Sequence, residues 1–117
     1  MTVALVILTL LLAAEFVFAP VNLWTGRTMA NFTRFTGLPP RFATRVLAPV
    51  KLLTAAALVA GLAVGALGVA GATAALAISG FYLVRLAHPA RRDPAGIGGF
   101  ALFGALAGAL LVLHIAA

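Results

Sequence analysis
Apolar residues fill this chain in four long runs, and most of the polar residues gather in the stretches between them. The first run covers residues 2–21, broken only by Glu15 and closed by Pro20. The second covers 46–65 and holds one charge, Lys51. The third, 67–84, is uncharged and ends at Arg85, and the fourth, 97–117, is also uncharged. Roughly 20 mostly apolar residues make a helix that crosses about 30 Å of hydrocarbon, so each run suffices for one crossing. Runs two and three are separated only by a Gly65-Ala66-Leu67-Gly68 turn. As one bent helix they would join about 38 apolar residues, twice the membrane thickness, so two crossings are the better reading. The pattern predicts an all-α integral membrane protein of one domain over 1–117. Its architecture is a four-transmembrane-helix bundle with a cytoplasmic interfacial loop between spans one and two. The first run lacks a basic leading segment, exceeds the roughly 7–15 apolar residues of a secretory signal and carries an acid. It therefore reads as a span rather than a cleaved leader.

Composition narrows the class. Hydrophobic residues make up 64% of the 117 and charged residues 9%, with a mean hydropathy of +1.19. Soluble domains carry about 25% charged residues. With Glu15 and Asp93 as the only acids and no cysteine, a free cytosolic enzyme, a disordered tail and a disulfide-stapled module are excluded. The net charge of +6 marks membrane orientation here, not a nucleic-acid groove. Arg27, Arg34, Arg41 and Arg45 follow span one, and Arg85, Arg91 and Arg92 follow span three. These two loops share a side in an even-numbered bundle. The positive-inside rule makes that side cytoplasmic, with both termini outside a bacterial inner membrane. The expected partner is the lipid bilayer, with other membrane subunits or a homo-oligomer as further candidates.

The first loop, about residues 22–45, repeats arginine every seven positions at Arg27, Arg34 and Arg41, beside Trp24, Met29, Phe32 and Phe35. That predicts a short helix in the headgroup layer, stopped by Gly37-Leu38-Pro39-Pro40. The Asn31-Phe32-Thr33 sequon carries no meaning on the inner face. Close packing between spans is expected from Gly61 with Gly65, from Gly104 with Gly108, and from the small residues Ala74, Ala77, Ser79 and Gly80. Pro49 cannot donate to the carbonyl of Arg45, so a kink is expected near Lys51.

Ionisable groups inside a span cost about 2.5–3.5 kcal/mol each on insertion scales and mark candidate sites. Glu15 lies roughly 6 Å to the cytoplasmic side of the midpoint of its span, at 1.5 Å per residue, and Lys51 lies at a similar depth. A Glu15–Lys51 pair is expected, with Tyr82 at the same level and Ser79 one turn above. In the plain structural reading the pair pins two helices in register and the lysine snorkels outward. In the functional reading it forms a polar pocket for a proton or for the head of a quinone, a sterol-like lipid or another lipophilic metabolite. His88 and His114 fall at opposite ends of the bundle and cannot clasp one haem. With no cysteine and two acids, no metal site is expected.

The segment 45–56, Arg-Val-Leu-Ala-Pro-Val-Lys-Leu-Leu-Thr-Ala-Ala, follows the Gly37-Leu38-Pro39-Pro40 loop. The stretch Leu86-Ala87-His88-Pro89-Ala90-Arg91-Arg92-Asp93 closes span three. Over most of its length the chain thereby resembles the DoxX-like family of small four-span bacterial membrane proteins. It departs from them around Ala48-Pro49, where a glycine is expected. Relatives include a membrane subunit associated with a thiosulfate:quinone oxidoreductase. The resemblance implies a small accessory or quinone- or redox-associated membrane subunit. Two other readings stand beside it. One is a membrane-embedded enzyme acting on a lipophilic small molecule, with Glu15 as acid/base and Lys51 or Tyr82 positioning the polar group. The other is a small oligomeric proton-coupled transporter using Glu15, against which the one-sided basic bias counts. No cofactor is evident beyond a quinone or similar lipophile.

Overall fold
A computed structural model describes residues 3–26, 29–88 and 93–116; Arg27, Arg91 and Arg92 of the basic loops, with Pro89 and Ala90, lie outside them. Every described element is helical: α1 (Val3–Trp24), α2 (Met29–Thr36), α3 (Pro40–Ala60), α4 (Gly65–Leu86) and α5 (Pro94–Ala116). An apolar chain without water to bond its amides satisfies them within each segment by forming helix. The threonines follow the same rule. The hydroxyls of Thr36, Thr54 and Thr73 each donate to the carbonyl four residues earlier, at 2.8 Å. Helices α1, α3, α4 and α5 are each long and apolar enough to cross a membrane. Large apolar side chains such as Phe18, Leu53, Val84, Leu102 and Val112 face outward. Together these features suggest a multi-pass membrane protein.

Three contacts fix an antiparallel up-down order. Trp24 at the end of α1 donates its indole N–H to the carbonyl of Thr44, near the start of α3, at 3.1 Å. Gly61, just past the end of α3, sits against Gly68 near the start of α4. The His114 ring near the end of α5 also lies on Gly68. The helices form a ring in the order α1, α3, α4, α5, and the seam that closes α5 back onto α1 is the most sparsely packed of the four. Leu12, Phe16, Leu58, Ile78 and Leu110 fill the middle.

Several boundaries differ from expectation, each for a local reason. Helix α1 runs through Pro20 to Trp24; the proline removes one donor near the helix end without stopping it. Span two starts at Pro40, not 46, because a proline is well suited to the first helical turn and Pro39 is extended before it. Arg41 and Arg45 are thus helical. The irregularity attributed to Pro49 falls a turn earlier, as a π-helical turn over Ala43–Leu47 in which the N–H of Ala48 bonds the carbonyl of Ala43. Widening one turn re-pairs the carbonyls near a proline. The turn between spans two and three is at 61–64, and Gly65 already opens α4. Helix α5 starts at Pro94, not 97, where Asp93 caps it by accepting the Ala95 N–H at 3.2 Å.

Helix α2 is the short helix expected in the first loop, yet it is not simply laid on a surface. Phe32 and Thr36 are buried against the end of the bundle. Arg85, at the end of α4, donates from its guanidinium to the carbonyl of Thr36 at 2.7 Å. The exposed Arg34 lies 3.5 Å from Asp93. The glycine contacts are also redistributed. Gly61, Gly68 and Gly71 carry the α3–α4 approach, while a side chain at Gly65 or Gly108 would meet open space.

Candidate functional site
Three phenylalanine rings surround Tyr82. Its ring stacks on Phe100 of α5, centroids 4.2 Å apart and planes within 4°. Phe81 meets it edge-on at 5.5 Å and Phe32 of α2 edge-on at 6.5 Å. Such offset-stacked and edge-to-face contacts add about 0.5–1.5 kcal/mol each beyond burial. The phenol is therefore held from three helices and its hydroxyl direction is fixed.

That hydroxyl accepts a hydrogen bond from Lys51 Nζ at 3.0 Å. The ammonium also lies 4.6 Å from the centroid of the same ring, within cation–π range. Lys51 is 5% exposed, so it does not snorkel out of the bundle. The apolar positions of α3 dictate this: Lys51 lies on the inward face with Ala48, Ala55 and Leu58, at the a/d-like spacing of a core residue.

Glu15 of α1 and Lys51 line one pocket with Tyr82 and Ser79, and Phe100 and Phe103 of α5 are among the other lining residues. The expected depth match thus holds, and all four polar residues singled out from sequence meet there. The expected direct ion pair does not form among the described residues; the ammonium turns instead to the Tyr82 hydroxyl, and Glu15 stays part-exposed at the edge. A phenol anchored by three other rings offers a fixed acceptor, and the ammonium takes it.

The phenylalanines that frame the pocket were not singled out from sequence. Phe100 and Phe103 do carry a signal, being one turn apart on the same face of a helix. Arg85 was read as an orienting charge alone, and its bond to Thr36 has no sequence signature. The histidines lie as expected at opposite ends, His88 exposed beyond α4 and His114 against Gly68. Among the described residues no three His, Cys, Asp or Glu side chains gather as a metal-binding group.

The arrangement offers hydrogen-bond donors at the floor, an acid at the edge and aromatic faces between. That set can hold a small polar group on an otherwise apolar molecule, and it can pass a proton to or from it. No family model matches the chain, and no curated protein or solved structure matches it significantly.

Proposed function
We propose that this is a small DoxX-like protein of the bacterial inner membrane, with both termini outside, acting as an accessory, quinone- or redox-associated membrane subunit. In this reading the pocket between Glu15, Lys51 and Tyr82 holds the polar head of a lipophilic molecule. The observation that carries it is the Lys51 ammonium, buried and bonded to a phenol beside open space. Lysine stems can carry their charge outward to the interface; this one stays inside, with N–H donors beyond the one given to Tyr82 open to a ligand. Helices that only need joining do so through small residues, as α3 and α4 already do at Gly61 and Gly68.

The test is gentle purification from native membranes, followed by mass spectrometry of the organic extract and of co-purifying proteins. A lipophile recovered near one per chain, and lost from Lys51→Met, is the expected result. Identical extracts from both proteins would overturn the reading. Glu15 on the same pocket favours a second reading, in which this residue moves a proton during turnover or efflux. Glu15→Gln separates the two: it leaves the co-purifying proteins unchanged for an accessory subunit and abolishes turnover or proton-coupled efflux in an enzyme or carrier.

A further inference from the structure
The chemistry of the pocket selects among lipophilic heads. An ammonium has three N–H donors and no acceptor, and a tyrosine hydroxyl that accepts one bond still has its own hydrogen to give. Lys51 spends one donor on Tyr82, so the amine keeps two N–H donors and the phenol its O–H, and donors outnumber acceptors between them. Whatever they hold must present an acceptor, and an oxygen with two lone pairs satisfies both at once. Glu15 on the same pocket balances the lysine charge and repels a second carboxylate or a phosphate. Size acts in the same direction. The inner room of the pocket is about 10 Å³, enough for one water-sized group and too little for a phosphate or a sugar.

Access is lateral. Lys51, Tyr82 and Ser79 are buried, while Glu15 on α1 and Phe100 and Phe103 on α5 are part-exposed. The edge of the pocket therefore lies at the α1–α5 seam, the most sparsely packed closure in the helix ring. We infer that the pocket takes the uncharged acceptor oxygen, ketone or alcohol, of an apolar molecule that enters from the lipid side between α1 and α5. This rests on the ligand-holding reading above and names the class of ligand. The oxygen meets Lys51 and Tyr82, and the apolar body stays in the seam against Phe100 and Phe103. Glu15 beside the lysine and the small inner room disfavour a carboxylate or phosphate head.

The experiment uses the full chain in phospholipid nanodiscs with benzophenone, itself a neutral ketone, as the photolabel. Competitors share one flat skeleton: 9-fluorenone, 9-fluorenol, fluorene and fluorene-9-carboxylate. Labelling is expected within 12–16, 78–82 and 100–103. Fluorenone, fluorenol or both should suppress it, and fluorene and the carboxylate should not. The stronger of the first two tells whether the oxygen is a carbonyl or a hydroxyl. Lys51→Met is expected to lower labelling about tenfold, the loss of one charged hydrogen bond. Tyr82→Phe, which keeps the ring stack, is expected to act in the same direction, and the competitor order on the unaltered chain reads the same inference if neither variant folds. Equal competition by fluorene, or stronger competition by the carboxylate, overturns the uncharged-oxygen inference and leaves the ligand-holding reading standing. Labelling outside these segments, unchanged by both variants, overturns the pocket as the site. If the native extract is also empty, the ligand-holding reading falls with it.

Discussion
An ammonium removed from water needs an acceptor more than a phenol needs a donor, and this asymmetry governs what substitutions at Lys51 and Tyr82 do. Tyr82→Phe keeps the stack on Phe100 but strips the acceptor from a buried cation, so it should destabilise by about 1–3 kcal/mol. Lys51→Met replaces the charge with an apolar stem of similar length and should cost less. The double variant removes both needs together and should be more stable than Tyr82→Phe alone, with a coupling on the order of 1 kcal/mol. Thermal unfolding of the four proteins in one detergent measures it; strict additivity would show that the bond contributes nothing. Glu15, Lys51 and Tyr82 were legible because ionisable and phenolic groups are so rare in this chain that depth along each span could be compared. The choice of partner was not legible. It depends on Phe100 fixing the phenol, and one phenylalanine among eight looks like any other in an apolar run.

At the scale of helices, run length conveyed the number of spans, and local chemistry shifted their ends. Span two was misplaced by several residues because Arg41 and Arg45 look like loop residues, while Pro39 and Pro40 in fact start a helix that carries both arginines on its first turns. The next turn was misplaced because residues 61–64 are as apolar as the helices they join. Glycine spacing misled in the same way: Gly61 and Gly65 stand four apart in sequence, yet the turn divides them and Gly61 packs on Gly68 instead. Gly61→Ala would drive a methyl group into the backbone of Gly68. At Gly71 a side chain would come within 2.8 Å of the Leu58 nitrogen. Backbone cannot rotate away as a side chain can, so each substitution should cost about 1–3 kcal/mol by forcing α3 from α4. Gly108→Ala meets open space and removes a flexible residue from a helix interior, so it should be neutral or stabilising by up to about 1 kcal/mol. Melting temperatures in detergent rank the three variants; a loss at Gly108 equal to that at Gly61 would contradict the packing.

Over the whole molecule, the longest dimension is 42 Å, close to the roughly 40–45 Å of a bilayer with its headgroups. Charge is divided unevenly along that length. Arg34, Arg41, Arg45, Arg85 and Asp93 belong to the end where α1 meets α2 and α4 meets α5, whereas the turn at 61–64 and the last turn of α5 carry no lysine, arginine or acid. Insertion retains loops rich in lysine and arginine on the cytoplasmic side, so the α2 end is expected to face inward. The absence of cysteine makes the test clean, since each introduced thiol is the only one. Thr25→Cys and Ala95→Cys, both at exposed positions of the arginine-rich end, should resist a membrane-impermeant maleimide in intact cells. Ala63→Cys, exposed in the opposite turn, should react. All three should react once the membrane is opened, which shows that the thiols are accessible. Because α3 and α4 are joined through that turn, labelling of Ala63→Cys from the cytoplasmic side alone would invert every span together. Pocket geometry would survive the inversion, but Lys51 and Glu15 would then sit in the outer half of the bilayer.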